Sequence, residues 1–297
     1  MDEQVITIFA AGSSLSHNKE GDVNMRKYKK SLGLVSMLLA TMLLLTACGK
    51  SATPPTAPGT ATTTRIDQIK KNGKLVLATG DYRPFEYHDE KTNQMVGYDI
   101  DVATAIAKKI GVPLEVKDMQ FTSLIPTLQI GQADLIIAAM YITDERKAVV
   151  DFADSYMDTG MVLVTRANDT AIKSTKDLDG KVVGVKAGAT SEKVAQDLKD
   201  KGQATITIKS YKETVDYLMD LEAGRTDASI NDLLNQLEYN KTHPNVKIVG
   251  EPFTKSSLGI AVKKGDKELV DLINSVLKDM TQNGEKDNLY KKWLTKN

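Results

Sequence analysis

The chain has 297 residues, 41% hydrophobic and 26% charged, with 39 basic and 39 acidic side chains and a formal net charge of zero. That length fits about two domains, and the neutral balance excludes the basic stripe of a general nucleic-acid binder. The chain's one cysteine excludes an intramolecular disulfide or a CxxC metal site, and His17, His88 and His243 are too scattered for a ligand-spaced cluster.

Residues 1–24 match no part of a signal peptide and read as an upstream extension, with Met25 expected as the true start. In residues 25–47 a basic start (Arg26, Lys27, Lys29, Lys30) precedes an apolar run over residues 32–45, too short for a comfortable membrane span. The run ends in Leu45-Thr46-Ala47-Cys48-Gly49, which resembles the lipobox of bacterial lipoproteins. That resemblance implies cleavage before Cys48 and a diacylglycerol thioether on its sulfur. Residues 48–64, rich in Ser, Thr, Pro and Ala, are expected to be a flexible linker behind the lipid.

From Arg65 onward, short apolar runs alternate with amphipathic stretches, the βαβ pattern of an α/β protein. Strands are expected at residues 75–79, 114–117, 134–138, 161–165, 181–185, 205–208, 227–230 and 258–262. Helices are expected at residues 99–109, 122–130, 190–201, 212–223, 232–239, 267–283 and 285–293. Gly111, Gly131, Gly202 and Gly224 stand where left-handed helix ends favour glycine. Two phrases recur in the same order. Asn72-Gly73-Lys74-Leu75 echoes Asp179-Gly180-Lys181-Val182, and Gly131-Gln132-Ala133-Asp134 echoes Gly224-Arg225-Thr226-Asp227. The double echo predicts two similar lobes, whose strand ends would open onto one cleft.

Several residues at those strand ends can carry chemistry. Arg146 can clamp a carboxylate through two parallel hydrogen bonds, or stand solvated at a helix start. Asp232 can hold an ammonium, or cap the helix that follows it. Tyr82, Phe85 and Tyr87 crowd into six positions of a chain that is 5% aromatic. With Phe121 they can wall a flat ligand or plug the core, and for Phe85 the core is the expectation. The loop 187–191 opens a helix and offers backbone amides to an anion. GxxxxGK, HExxH, GxSxG and GxGxxG are missing, so an enzyme is not expected.

Tyr82-x-Pro84-Phe85-Glu86-Tyr87, Gly97-Tyr98-Asp99-Ile100-Asp101, Phe121-x-x-Leu124-Ile125-Pro126 and Ile142-Thr143-Asp144-Glu145-Arg146 occur in a distinctive order. In that order and spacing the chain resembles the extracellular solute-binding proteins of polar amino-acid ABC transporters, and its lipoprotein signal resembles that of Gram-positive members. The resemblance implies a bilobal periplasmic-binding-protein-like fold of type II, with two α/β lobes joined by a two-strand hinge near residues 156–161 and 253–258. Lobe 1 would be residues 65–157 and 257–297, and lobe 2 residues 158–256.

By position, the resemblance gives Arg146 the ligand α-carboxylate with help from Thr190, and gives Asp232 the α-ammonium. It makes Tyr82 and Phe121 the aromatic walls and leaves Gly97–Asp101 a structural turn and helix cap. Lys186 matches a lysine that faces the ligand side chain in glutamine-binding relatives. Thr79 stands where binders of basic amino acids usually carry an acid. Tyr141 replaces a usual Ser or Thr, and Ala138 and Ala139 replace small polar or glycine residues. The expectation is a monomeric substrate-binding lipoprotein held on the outer face of the cell membrane by Cys48. It would capture a free amino acid of the Gln/Glu kind and pass it to a permease driven by a cytosolic ATPase, without cofactor or metal. An ectoine-like solute or cystine is the alternative ligand, and a cyclohexadienyl dehydratase-like lyase is the alternative class on the same fold.

Overall fold

A computed structural model describes residues 63–295. The expected extension, signal and lipidated Cys48 lie outside the described residues. The chain builds α1 (Arg65–Asn72), β1 (Leu75–Thr79), the hairpin β2 (Tyr87–His88) and β3 (Met95–Val96), and α2 (Tyr98–Ile110). There follow β4 (Leu114–Asp118), α3 (Phe121–Gln129), β5 (Leu135–Ile136), α4 (Asp144–Val149) and β6 (Val150–Phe152). After β7 (Met157–Thr159) come β8 (Met161–Arg166), β9 (Val182–Lys186), α5 (Thr190–Asp200), β10 (Thr207–Tyr211) and α6 (Thr214–Glu222). Then β11 (Ala228–Asp232), α7 (Leu233–Asn240) and β12 (Val246–Val249) precede β13 (Ser256–Leu258). The last elements are β14 (Ala261–Lys263), α8 (Lys267–Gln282) and α9 (Glu285–Trp293).

These elements form two lobes, each around its own mixed sheet. The first sheet runs β4-β1-β5-β14-β6 and the second β10-β9-β11-β8-β12. In each, three parallel strands in the order second, first, third are followed by one antiparallel strand and then by a fifth that runs in the direction of the first three. The strands β7 and β13, which lead into β8 and β14, pair with each other antiparallel between the lobes. Both faces of β1 and β9 are covered, which explains their nearly unbroken apolar runs.

The echoed phrases build the same bracket twice. Gly73 and Gly180 both turn at φ 71°. The Asp134 carboxylate accepts the Val76 N–H at 2.8 Å, and that of Asp227 accepts the Val182 N–H at 2.8 Å. In return the Asp134 and Asp227 amides donate to the carbonyls of Val76 and Val182. Each aspartate thus staples the third strand of its sheet to the first, satisfying backbone groups where the ladder has yet to begin. Gly111, Gly131, Gly202 and Gly224 all lie at positive φ just past helices, as expected.

Helices bury one stripe each. In α8 the apolar positions Leu269, Ile273, Val276 and Met280 recur every three or four residues and all face inward. Each such side chain contributes about 1.5–3 kcal/mol through burial. At the other end, α9 is tied back to α2: the Lys292 ammonium and the Trp293 indole N–H both meet Asp101 Oδ2 at 2.7 Å. Helix α2 begins at Gly97 (φ 137°), where a Cβ would sit 2.1 Å from the Phe85 carbonyl oxygen. Only glycine fits that crossing.

Some expected boundaries shift for physical reasons. The run at residues 134–138 stays in the sheet only over Leu135–Ile136, because the chain then peels away and reaches Ala139 at φ 43°. The run at residues 258–262 is two strands. It breaks at Gly259, where a Cβ would press on Ile142 and Phe152 at 2.6–2.7 Å.

Candidate ligand-binding site

A narrow cavity of about 30 Å³ lies where the carboxyl ends of β1, β5, β9 and β11 meet. The eight residues expected to contact the ligand line it: Tyr82, Phe121, Ala139, Tyr141, Arg146, Lys186, Thr190 and Asp232, whereas Tyr87 packs edge-on against Trp293 instead. From lobe 1, Tyr82 follows β1, Phe121 opens α3 rather than sitting in a loop, and Ala139 and Tyr141 follow β5. Arg146 stands in the first turns of α4, whose N-cap Thr143 accepts the Arg146 N–H. From lobe 2, Lys186 ends β9, Thr190 opens α5 and Asp232 ends β11.

Arg146 is held by oxygens of both lobes. Its Nη1 donates to the Tyr141 carbonyl at 2.8 Å and to Thr190 Oγ1 at 3.4 Å, and its Nη2 donates to the Gly188 carbonyl at 3.2 Å. Burial pulls its guanidinium down to about 10 despite Glu145 beside it. The guanidinium carbon also sits 5.2 Å from the centre of the Phe121 ring.

Asp232 does what the capping alternative expects. Its Oδ1 accepts the Leu234 and Asn235 amides at 2.8 and 3.2 Å, closing the start of α7. Its Oδ2 accepts the Tyr141 hydroxyl at 2.6 Å, across the cleft, and the Thr159 hydroxyl at 2.8 Å. Burial raises the carboxyl, while these four bonds oppose the rise by favouring the anion.

Lys186 is buried at 7% side-chain exposure. Its ammonium sits 5.1 Å from the Tyr82 ring centre and 5.7 Å from that of Phe121, with Glu213 Oε2 at 4.0 Å. Ring faces attract a cation, so the lysine fills the slot between the two walls. Beyond Tyr82 a wider cavity of about 710 Å³ carries Asp81, Asp118 and Glu213. Burial raises the Asp81 carboxyl, and the nearby Asp118 raises it further.

Two expectations need correction in detail. Three amides of the 187–191 loop are already engaged. Ala187 donates to the Tyr211 carbonyl, Gly188 to Glu192 Oε2 and Ala189 to the Lys186 carbonyl. The loop uses these bonds to turn at Gly188 (φ 69°), so amides lacking an intrahelical partner begin with the first turn of α5, at Thr190. Gly188 also meets lobe 1 directly, since a Cβ there would lie 2.8 Å from Thr122 Cγ2. The Gly97–Asp101 turn is capped by no side chain, and Asp99 reaches elsewhere: its Oδ2 accepts the Ala139 amide at 2.8 Å and the Tyr156 hydroxyl at 3.0 Å. Phe85 is fully buried and Thr79 hydrogen-bonds the Ile137 carbonyl at 2.7 Å.

Sequence reasoning missed Tyr217 and Asn231, which also line the cavity. Asn231 Oδ1 accepts the hydroxyls of Tyr82 (2.9 Å) and Tyr217 (2.7 Å), and its Nδ2 donates to Asn235 and Gln236. An amide next to Asp232 in a fully buried strand was the available signal. Asn235 in turn donates to the Arg83 carbonyl at 2.5 Å, a second grip across the cleft.

With this geometry in place, comparison with known proteins identifies the kind of molecule. Residues 75–296 match the bacterial extracellular solute-binding proteins, family 3. The chain belongs to that family. It is 36% identical over 255 residues to the arginine-binding extracellular protein ArtP of Bacillus subtilis, covering 84% of this chain and 92% of ArtP. It is 34% identical to the ABC transporter glutamine-binding protein GlnH of the same organism, covering 90% and 97%. Among solved structures it resembles an ancestral arginine-binding protein bound to arginine, at 42% identity and a TM-score of 0.70, over 74% of this chain and 98% of that one. The solute-binding family is extracellular, and its members similar to this chain are transport proteins, not enzymes. No helix among the described residues is long and apolar enough to cross a membrane.

Proposed function

We propose that the protein is the substrate-binding lipoprotein of an ABC importer and captures a polar amino acid of the Gln/Glu kind between its lobes. The observation that carries this reading is the charge pattern of one cavity, where Arg146 and Lys186 face a single carboxylate, Asp232. A zwitterion whose side chain ends in a carboxylate or an amide oxygen complements that pattern. Its α-carboxylate goes to Arg146 and Thr190, its ammonium to Asp232 Oδ2 with the Tyr141 oxygen beside it, and its side-chain oxygen to Lys186. Such an oxygen adds to Glu213 Oε2, 4.0 Å away, in offsetting the cost of burying that ammonium. The ligand bridges residues from both lobes and so stabilises the closed form, in proportion to its preference for that form. The closed form would dock on the permease, with Cys48 keeping the protein at the membrane.

The same pattern argues against the alternatives. An ectoine-like cation would need the slot between Tyr82 and Phe121 that Lys186 fills. Arginine, named for two of the relatives, would add a third cation to the cavity. It becomes the second reading only because Asp81, Asp118 and Glu213 line the neighbouring space, within reach of a long side chain that passes Lys186.

Thermal unfolding with and without separate ligands tests the proposal. A true ligand at about 100 times its dissociation constant adds about 2.7 kcal/mol, a rise of several degrees for a protein of this size. A rise with glutamine or glutamate is the expected result. A rise with arginine alone would overturn the role given to Lys186, and one with ectoine or cystine would replace the ligand class. No rise with any of them would move the assay to prephenate and arogenate turnover.

A further inference from the structure

Asp99 is fully buried in the first turn of α2 and does not itself line the cavity, yet it is bonded to two segments that matter there. Its Oδ2 accepts the amide of Ala139, a wall of the cavity held at φ 43°. A non-glycine residue at positive φ is strained by about 1–3 kcal/mol and persists only when its surroundings fix it. Four of the bonds that fix the segment come from the strands and helix packed around it. The Thr79 hydroxyl donates to the Ile137 carbonyl, Asp99 accepts from Ala139, the Gly259 amide donates to the Met140 carbonyl, and the Ile142 amide donates to the Ser257 carbonyl. Asp99 supplies the only one of these that seizes the strained residue itself.

Two groups depend on that segment. Tyr141 carries its hydroxyl to Asp232, and the Tyr141 carbonyl accepts Arg146 Nη1 at 2.8 Å. A shift of residues 138–141 therefore moves the guanidinium and the phenol together. The other donor to Asp99 Oδ2, the Tyr156 hydroxyl, belongs to the residue immediately before β7, one of the two strands paired between the lobes. One carboxylate oxygen thus ties the cavity wall to the root of the interlobe connection.

We propose that Asp99 is a positioning residue for ligand capture, holding the 137–142 segment through Ala139 and the start of β7 through Tyr156. This rests on the cleft being the ligand site, and the experiment separates the two ideas. Hydrogen exchange needs no ligand. In the ligand-free protein, Asp99→Ala should speed exchange in peptides covering residues 137–142 by about tenfold or more, leaving the β8 segment Met161–Arg166 unchanged. Asp99→Asn, whose amide oxygen still accepts both donors, should restore protection. Tyr156→Phe should free the hinge side alone. Equal loosening of β8, or no change in residues 137–142, would overturn the proposal.

Calorimetry then uses L-glutamine, L-glutamate and L-arginine. For each that binds the unmodified protein, Asp99→Ala should weaken affinity about tenfold or more, with the ratios between ligands preserved, and Asp99→Asn should stay within about threefold. Unchanged affinity in folded Asp99→Ala would sink the positioning role, since a purely structural residue changes melting but not binding. Should none of the three bind the unmodified protein, the functional reading fails and the exchange data alone decide this one.

Discussion

Lobe 1 and lobe 2 share a strand order, a glycine turn and an aspartate bracket, but they furnish the cleft with different chemistry. Lobe 1 presents three rings, Tyr82, Phe121 and Tyr141, together with Arg146. Lobe 2 presents mostly hydrogen-bonding groups in Lys186, Thr190, Asn231 and Asp232. The shared parts are backbone devices. Asp134 and Asp227 bond main-chain amides, so their geometry is indifferent to the residues at the strand ends. The difference teaches that a doubled fold can keep its frame while each copy's loops specialise, one as a stiff aromatic shelf and the other as a polar cover.

Changes in the cleft should break this division most visibly. Arg146→Ala removes the one cation of the aromatic shelf, and amino-acid affinity should fall by about a hundredfold or more in calorimetry. Melting should stay within a few degrees of the parent, and intact affinity would refute the carboxylate assignment. Lys186→Met comes next. It should weaken glutamine and glutamate by about tenfold while sparing ligands with apolar side chains. Equal losses for all ligands would mean the lysine senses closure rather than the side chain.

The two brackets allow a test of their equivalence. Asp134 is also ion-paired to Arg65 at 3.1 Å, whereas Asp227 bonds the Val182 amide without such a cation in the described geometry. Asp134→Ala should therefore cost about 2–3 kcal/mol and Asp227→Ala about 1–2 kcal/mol by denaturant unfolding, because only the first also loses an ion pair, leaving Arg65 with Asp266 at 3.8 Å. A larger loss at Asp227 would reverse that ordering.

The smallest effect concerns acid. Lobe 1 alone sets a second buried carboxyl, Glu86, beside Asp99; burial pushes Asp99 up to about 6 and raises Glu86 well above the usual range. A carboxyl that binds its proton more tightly when folded favours folding at low pH. Its contribution declines as pH climbs from the ordinary value near 3.8 to about 6, then levels off. The melting temperature of the parent, measured against Asp99→Asn, should fall across that window. Parallel curves would show that Asp99 titrates normally.

Much of the frame was legible because buried parallel strands are continuous apolar runs; residues 75–79 are matched by β1 at both ends. The short strands escaped. β6 and β12 have three and four residues, too few to establish a period. The break after Ile136 was invisible because Ile137 and Ala138 are as apolar as the strand, and only tertiary bonds to Thr79 and Asp99 draw that stretch aside. In the site, position along a recognised pattern located the charged and aromatic groups. Tyr217 escaped because on α6 it has the spacing of a core residue, and its hydroxyl contact with Asn231 depends on how that helix packs.

Gly188 carries a further consequence. Its bare Cα rests against Thr122 of the opposite lobe, with no room for even a methyl group. A side chain introduced there would act as a doorstop. The jaws would keep every tooth, Arg146 and Phe121 on one side and Lys186 and Asp232 on the other, and still fail to bite. Such a molecule would separate recognition from enclosure, showing how much grip each jaw has by itself.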